Sequence, residues 1–564
     1  MFSVTSPAIC PAIQQWEASA LAFDAVKKFL ELSISLETDS LADGAHPTYL
    51  ATRIDFVLEP LRTTLTQQVS QLHSKLSQMR NMMLPYVHRL PEEVLSRISM
   101  HAIYDPLDLV DHLDPISMER CVINTYRALH NLLGVCTRWR KAILGQGALW
   151  SFVPLFDRLE LPVDFKSTTE FIVDKTTGMG LHLTADLRNA PNNLSVFSRY
   201  ISRFDAITLV TPSAHIIPDI LGMFTSQNGP ETSALSCLSV YRTHGDFNWF
   251  YREDYAFQSI SEAKSFNQLV KQMSLIQMRN VPLYWSELTF SNRLTRLCLQ
   301  EVNLGYDTDF GHLLNGLSSA IQLRELKFIK LRTAKPESFP DPTPSQIWLP
   351  HLQSFLVQDL HLNTLRLLLL NIKSRSHRLS LVFTRQSIRF LFRSGVVSRD
   401  NDISIICELL ESTPVHALLL DVESLDADYI LSPRELRQLM VSVPSLETLW
   451  VNMWDLDDRY CEALQSAGEL SHGTFPSLVN LYFTCVDLSH PMAFKNMVNS
   501  HSDSLRLVTL GGSSGLITRG KVHWISPQGD SELVTWLREN VPKFKKTGRN
   551  FGPPEFRKIL WELW

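Results

Sequence analysis

The chain has 564 residues, of which 45% are hydrophobic and 20% are charged, and its formal net charge is −5. That length exceeds one ordinary core, so we expect three or four domains, or one long repeat array with a small domain. The composition excludes wholesale disorder, and the small negative charge argues against a general nucleic-acid binder, which needs a basic stripe to release phosphate counterions.

The sequence contains no recognisable targeting or membrane segment. Its first twenty residues lack the basic stretch and unbroken apolar core of a secretory signal, so we expect a cytoplasmic or nuclear protein, or both. The longest strongly apolar run, 365–372, is much shorter than the roughly 20 residues of a membrane-spanning helix. The eight cysteines stand apart without metal-ligand spacing, so we expect reduced thiols and no zinc site.

Residues 1–83 are predicted to be helical. From Leu58 to Met83 the apolar residues recur at steps of three and four, which indicates one apolar stripe on a long helix. Pro85 should end that helix, since proline cannot continue it. An earlier helical stretch is separated from it by the turn-rich segment 37–48. We expect an antiparallel helical hairpin, with a dimeric coiled coil as the alternative.

Residues 84–155 are predicted to contain two short amphipathic helices. In the first, Pro91 fits the opening turn, where its missing N–H costs nothing, and Glu92 and Glu93 favour the positive end of the helix dipole. The apolar face of the first helix is Val94, Leu95, Ile98 and Ala102. The apolar face of the second is Leu129, Leu132, Val135, Cys136, Trp139 and Ile143. Two short helices with such broad apolar faces need a further surface to pack against.

These two helices resemble the F-box, the helical module by which substrate receptors dock on the Skp adaptor of SCF (Skp, cullin, F-box) ubiquitin ligases. Three family elements occur in order: LPEEVL at 90–95, VCTRWR at 135–140 and LW at 149–150. The chain departs from the short family form by an insertion at about 104–127. Similar insertions occur in the large F-box families of mushroom-forming fungi, so the resemblance implies a fungal protein.

The resemblance implies an adaptor-binding surface from the ends of both helices. Its residues are Leu90, Pro91, Val94, Leu95, Ile98, Val135, Cys136 and Trp139. Trp150 is expected to pack at the junction with the next domain, and the insertion is expected to decorate the docking surface. Exchange of Pro91 and Leu95 for alanine should then weaken adaptor binding without unfolding the rest. The alternative is a small helical subdomain that packs only on its own neighbour.

Residues 156–564 repeat one apolar template, with apolar side chains at its first, fourth and sixth positions. Ten matches begin at Phe204, Leu235, Met273, Leu294, Leu323, Leu352, Val415, Leu446, Leu478 and Leu505, and HRLSLVF at 377–383 is a degenerate member. A period near 30 residues is typical of leucine-rich repeats, in which a short strand alternates with a returning helix or turn. The consensus asparagine is missing from most repeats. Coincidental spacing in an ordinary α/β sheet is the alternative.

The whole chain is therefore predicted to be α/β. An N-terminal helical hairpin and a helical F-box precede a leucine-rich-repeat-like solenoid, or horseshoe, with a C-terminal cap. The cap is expected to consist of an amphipathic helix, a basic turn at 543–549 and a short Trp-rich helix.

The fifth template position is predicted to point out of the concave face of the repeats. The residues there are Cys298, Lys327, Leu356, Leu419, Trp450 and Tyr482. Trp450 and Tyr482 fall on consecutive repeats, and Asn452, Asn480 and Thr484 add hydrogen-bonding groups. Exposed aromatic pairs with polar surroundings are typical of binding hot spots, so we predict a substrate-binding site at Trp450, Tyr482 and Asn452. The alternative is that loops or neighbours cover them.

No catalytic site is predicted, and neither is a metal or cofactor site. The sequence lacks a phosphate-binding GK[ST] loop and an HExxH motif. The favoured hypothesis is a non-catalytic, substrate-recognition subunit of an SCF-type ubiquitin ligase. Its F-box would hold the Skp adaptor, and through it a cullin-RING ligase, while its repeats hold an unknown target protein.

Two other hypotheses remain. One is a leucine-rich-repeat scaffold outside any ligase, whose helices do not bind the adaptor. The other is a hydrolase on an unrecognised α/β sheet, which requires a polar cleft with perturbed acids.

Overall fold

The computed structural model describes part of the chain, and all structural statements below concern that part. It consists of residues 15, 24–44, 46–83, 90–104, 118–156, 165–176, 178–187, 194–226, 235–243, 255–336, 346–375, 377–395, 397, 403–421, 430–466, 474–486, 488, 490–511, 514–518, 521–525, 532–547, 553 and 556. The chain divides into two compact units, Met1–Pro91 and Glu92–Trp564.

The first unit contains two helices, α1 (Asp24–Ala42) and α2 (Pro47–Met83). The helix α1 extends into the segment predicted as a turn, because the letters ETDSLA include the good helix formers Glu, Leu and Ala. Between the two helices Gly44 has a φ of 83°, which lies in the left-handed region that favours glycine. The predicted break at Pro85 lies outside the described residues. The hairpin and the coiled coil both remain predictions.

The second unit begins with three helices, α3 (Glu92–Tyr104), α4 (Met118–Leu133) and α5 (Thr137–Gly145), which contact one another. Helix α4 starts inside the predicted insertion. Its residues Met118 and Val122 are buried against Phe152, Phe156 and Val210. From Met118 onwards the insertion is therefore part of the core, because its apolar side chains pack on the following domain. Residues 105–117 lie outside the described residues.

Fourteen strands form one parallel sheet in the second unit, in the order β1-β2-β3-β4-β5-β6-β8-β11-β13-β14-β15-β16-β17-β20. Their bounds are β1 (Phe152–Phe156), β2 (Leu181–Asp186), β3 (Phe204–Thr211), β4 (Cys237–Arg242), β5 (Leu275–Arg279), β6 (Arg296–Gln300), β8 (Glu325–Ile329), β11 (Ser354–Gln358), β13 (Arg378–Phe383), β14 (Val415–Asp421), β15 (Thr448–Asn452), β16 (Asn480–Thr484), β17 (Leu507–Gly511) and β20 (Lys543–Thr547). Neighbours in the sheet follow chain order, as expected when each repeat adds one strand.

Short strands pair beside the main sheet. They are β7 (Asn303–Tyr306) with β9 (Arg332–Ala334), β10 (Ile347–Trp348) with β12 (Ile372–Lys373), and β18 (Ser514–Thr518) with β19 (Lys521–Ile525). The helices that return the chain between strands are α6 (Phe165–Lys175), α7 (Ile216–Ser226), α8 (Ile260–Val270), α9 (Phe310–Leu317), α10 (Leu362–Asn371), α11 (Ile403–Glu411), α12 (Pro433–Val441), α13 (Asp458–Ala463), α14 (Pro491–Asn499) and α15 (Glu532–Asn540).

One continuous core lies between this sheet and its helices. Every residue of the ten template matches is buried except Leu510, which is partly buried. In β6, for example, Leu297 and Leu299 point into the core while Cys298 between them is partly exposed. The α/β prediction with a parallel repeat sheet is confirmed. The predicted basic turn is instead the last strand, β20, because it pairs in parallel with β17.

A left-handed backbone turn follows six of the strands. The residues are Asn280, Glu301, Lys330, Asp359, Met453 and Cys485, with φ between 52° and 56°. The N–H of Glu301 donates to the carbonyl of Ile329 on the next strand at 2.8 Å, and Lys330 donates likewise to Gln358 at 2.9 Å. The residue after each turn enters the core: Val281, Val302, Leu331, Leu360, Trp454 and Val486 are all buried.

Exchanges of Lys330 measure the free-energy cost of placing a non-glycine residue in that left-handed turn. We expect Lys330→Val to be less stable than Lys330→Asn by about 1–2 kcal/mol, because a β-branched residue fits the left-handed region poorly and asparagine tolerates it. Both variants lose the ammonium that lies 3.7 Å from the Asp359 carboxylate, so that ion pair cancels in the comparison. Urea unfolding measures the difference. Equal midpoints for the two variants would show that the turn carries no backbone strain.

His361 makes stability depend on pH. This buried residue starts α10, and its burial, followed by the nearby Arg332 charge, lowers its pKa to about 4. The unfolded state therefore takes up the proton first as pH falls, so stability is full above about pH 6.5 and is lost toward pH 4. We expect the wild type to lose about 2 kcal/mol more than His361→Asn between pH 7 and pH 4.5. Urea unfolding at both pH values checks this; equal losses would contradict it.

Candidate functional site

The helices α3, α4 and α5 have a shared interior that holds part of the predicted adaptor-binding set. Leu95 is 0% exposed and Trp139 is 9% exposed. Trp150 is buried as well, and its indole N–H donates to the Ile143 carbonyl at 3.0 Å. The ring of Trp150 meets Phe171 of α6 edge-on at 5.4 Å, so Trp150 packs at the junction where it was expected. For Leu95 and Trp139, burial changes the predicted role from direct contact to support.

A second group from the predicted set lies on the outside of the same helices. Val94 is 37% exposed, Ile98 is 41% exposed and Val135 is 53% exposed. Cys136 is partly buried. Val94 and Ile98 are four residues apart on α3 and so share one face of it. We call Val94, Ile98, Val135 and Cys136 the helical surface. Exposed apolar side chains that share one face, as Val94 and Ile98 do, are typical of interaction sites.

The VCTRWR element has a local structural explanation. Cys136 has an extended backbone and its carbonyl accepts the Arg140 N–H at 2.9 Å, which starts α5. Arg140 then turns back, and its Nε donates to the Leu133 carbonyl at the end of α4 at 3.1 Å. This contact suits a cation, because the carbonyl end of a helix is negative. The element thus fixes the turn that exposes Val135.

Leu90 and Pro91, the remaining two predicted residues, end the first unit. Leu90 is partly buried and Pro91 is exposed, and helix α3 starts at the next residue, Glu92. Their role in adaptor binding stays a prediction.

The sheet face turned away from the core, here called the open face, carries the predicted substrate site. The six fifth-position residues do not form one row there. Cys298, Lys327 and Leu356 are register partners, and so are Leu419, Trp450 and Tyr482. The register of β13 with β14 shifts between Leu379 and Ser380. Beyond that shift Leu356 pairs with Ser380 while Leu419 pairs with Val382, so the two groups lie two residues apart along β13. The six residues therefore share the open face but form two rows of three along it.

Trp450 and Tyr482 are neighbours on adjacent strands as predicted, but they are not an exposed pair. Tyr482 is only 8% exposed, and Trp450 is partly buried. The indole N–H of Trp450 donates to the Thr484 hydroxyl at 2.6 Å, and that hydroxyl donates to the Asn452 side-chain carbonyl at 2.7 Å. The Asn452 amide donates in turn to Asp421 at 2.8 Å. The polar groups predicted for target binding are therefore engaged with one another.

The middle of the open face is apolar and covered. Ile329, Leu356, Val382, Ala417 and Leu419 form a cluster separate from the main core, with Cys298 and Trp450 beside it. Phe556 belongs to this cluster, is 5% exposed, and has its ring centroid 5.8 Å from that of Trp450. The alternative that neighbours cover the predicted site therefore applies here. No local pattern predicts this contact, and the only related feature is the aromatic character of the last segment.

The remaining open face is covered or internally paired along much of its length. At the first strands α4 packs on it, and the Tyr126 hydroxyl donates to the Phe152 carbonyl at 2.6 Å. Further along, Arg279 donates twice to Glu301, at 2.9 and 3.0 Å. The Arg279 guanidinium also lies 4.5 Å from the ring centroid of Tyr241. These charges are neutralised within the chain.

A cavity of about 700 Å³ lies between α3 and the first strands. Its lining includes Tyr104, Phe152, His182 and Asp205. Burial raises the pKa of Asp205, and the His182 ring nitrogen Nε2 is bonded to the Thr208 hydroxyl at 2.8 Å. In the described residues no group of three His, Cys, Asp or Glu side chains could hold a metal ion. No helix among those residues is long and apolar enough to cross a membrane.

The sequence matches no protein-family model and no curated protein. Among solved structures it is similar to the leucine-rich repeat-containing protein LegL7 from Legionella pneumophila, at 13% identity and a TM-score of 0.29. That match covers 62% of this chain and 97% of the other. The leucine-rich-repeat-like character of this chain rests on its own strand order and apolar template.

Two adjacent residues of α3, Val94 and Leu95, allow its exposed face and its buried face to be compared. We expect Leu95→Ala to destabilise the second unit by about 2–5 kcal/mol, since it removes a fully buried side chain. Val94→Ala should change stability by no more than about 0.5 kcal/mol, because that side chain is partly exposed. Urea unfolding with hydrogen exchange of α3 measures both. Equal effects would contradict the assignment of the two faces. An exchange of Leu95 for alanine, including one combined with Pro91, is therefore expected to disturb folding as well as any adaptor binding.

Proposed function

We propose that this chain is a substrate-recognition subunit of an SCF-type ubiquitin ligase. Its helical surface docks on the Skp adaptor, and through it on a cullin-RING ligase, while the repeat sheet binds a target protein. The observation that carries the proposal is the division of α3, with Leu95 buried and Val94 and Ile98 exposed. The LPEEVL, VCTRWR and LW elements supply the identity of the partner through their resemblance to the F-box.

The energetics of docking favour the helical surface as an interface. Full burial of a completely exposed Val or Ile side chain contributes about 1.5–3 kcal/mol, and Val94, Ile98 and Val135 are 37–53% exposed, so each can contribute roughly half of that on docking. The supporting residues Leu95 and Trp139 are already buried beneath them. The surface is therefore held in place before binding, which reduces the entropy that docking must overcome.

The chain itself is non-catalytic in this proposal. It raises the concentration of a bound target near a ubiquitin carrier that other subunits hold. This role needs no metal or cofactor, and it places the protein in the cytoplasm or nucleus. Parallel repeat sheets present extended surfaces that suit protein partners.

A second candidate is a leucine-rich-repeat scaffold outside any ligase. It is favoured by the packing of α4 on Phe152, Phe156 and Val210, which makes the helices an N-terminal cap for the sheet. A cap alone does not account for the exposed apolar side chains of α3. The two candidates differ in one property, since the scaffold does not bind the adaptor.

Purified full-length chain should bind recombinant Skp adaptor. We expect Val94→Glu with Ile98→Glu to weaken this binding at least about tenfold, because two charges would enter an apolar interface. Ile260→Glu with Ile321→Glu is the matched control, since both side chains are exposed apolar residues on other elements and the charge change is the same. Calorimetry measures the affinities, and circular dichroism checks folding. A folded wild type without adaptor affinity would favour the scaffold.

A further inference from the structure

We propose that the apolar middle of the open face is a binding site for a peptide segment with an aromatic anchor, and that Phe556 occupies this site in cis. We call Leu356, Val382, Ala417, Leu419 and Trp450 the anchor site. This inference deepens the proposed function, because it rests on the repeat sheet being the target-binding surface and states what kind of target segment fits it.

The anchor site has the shape of a hollow. Ser380, Ala417 and Thr448 are register partners on three consecutive strands, and all three are buried. Two residues further along the same strands, Val382, Leu419 and Trp450 form a second row with larger side chains. A row of small side chains next to a row of large ones leaves space above the sheet for an inserted ring.

Phe556 occupies the anchor site through its aromatic ring. Phe556 is almost completely buried, and its ring is inclined at 55° to that of Trp450, an arrangement that aromatic pairs favour. The indole N–H of Trp450 is already used by Thr484, so Trp450 offers its ring to the occupant. The Phe556 N–H donates to the Pro553 carbonyl at 3.1 Å, which makes a turn just before the anchor.

The length of the tether supports occupancy by the same chain. The last strand, β20, ends at Thr547, and the order β14-β15-β16-β17-β20 places it four strands from Leu419. Four strand spacings amount to about 19 Å. Nine residues of extended chain span up to about 30 Å, which exceeds this distance. A tether of this length holds Phe556 at an effective concentration on the order of millimolar near the anchor site. A free target segment must therefore bind more tightly than the tethered segment to displace it.

The contacts of Phe556 indicate what kind of target segment would bind at the anchor site. A target segment that presents one Phe-like ring on a tight turn would make the same contacts as Phe556 and displace it. Cis occupancy also keeps an apolar surface out of water until such a segment arrives, which limits non-specific association.

The test uses the chain's own segment as a probe in trans. A fluorescent peptide of residues 552–560 is titrated into full-length wild type and into Phe556→Ala, with anisotropy as the readout. We expect the variant to bind the peptide at least about tenfold more tightly, because the cis competitor is gone. The same peptide with alanine in place of Phe556 should bind neither protein.

A second exchange locates the binding. Ala417→Leu in the Phe556→Ala background fills the hollow and should abolish the gain, whereas Trp348→Ala, at an exposed aromatic outside the cluster, should leave wild-type peptide affinity unchanged. Circular dichroism melting confirms that each variant folds. Equal peptide affinity of wild type and Phe556→Ala, or a variant that unfolds without binding peptide, would overturn the proposal and make Phe556 a structural plug.

Two further outcomes distinguish cis occupancy from dimerisation, and peptide binding from adaptor binding. Dimerisation of the wild type that Phe556→Ala abolishes would overturn cis occupancy and place the ring on a second copy. The Val94→Glu and Ile98→Glu variant should bind the peptide as the wild type does, because the helical surface is separate from the anchor site. Loss of adaptor binding and loss of peptide binding are therefore distinguishable, and each proposal can fail alone.

Discussion

The parallel ladder of inward-pointing side chains is the constraint on which the rest of the second unit depends. Each strand places its fourth and sixth template residues into one continuous core, and each strand takes its register from the one before it. Because side chains alternate along a strand, the same register decides which residues remain on the open face. On β13, for example, Ser380 pairs with Leu356 and Val382 pairs with Leu419 on that face.

Left-handed turns follow six of the strands and help to link neighbouring strands in the sheet. A left-handed residue such as Glu301 or Lys330 directs its N–H to the next strand, and the following residue then fills the core. Such residues cost strain when they are not glycine, and the repeated inter-strand hydrogen bond offsets it. The two surfaces that the proposed function uses both lie in the unit that contains this ladder. One is the helical surface beside the first strands, and the other is the anchor site in the middle of the open face.

The sequence predicts well what depends on local periodicity. The template located the strands of ten repeats because apolar residues at alternate positions must share one face, and the helices around Leu95 and Trp139 followed from their own apolar spacing. Contacts between distant segments escaped prediction. The cover by Phe556 joins residues far apart in the chain, the register shift arises between two strands, and the packing of α4 depends on Phe152 and Val210. No local pattern specifies such pairings, since they are decided by tertiary packing.

Hydrogen–deuterium exchange of the full chain with and without the Skp adaptor tests the central claim most directly. If the helices dock as proposed, amides of α3 and of the turn at 134–137 gain protection on binding, while the strands around Leu419 and Trp450 do not change. Protection confined to the repeat sheet, or no change anywhere in a mixture at saturating adaptor, would contradict the assignment of the helical surface as the adaptor interface.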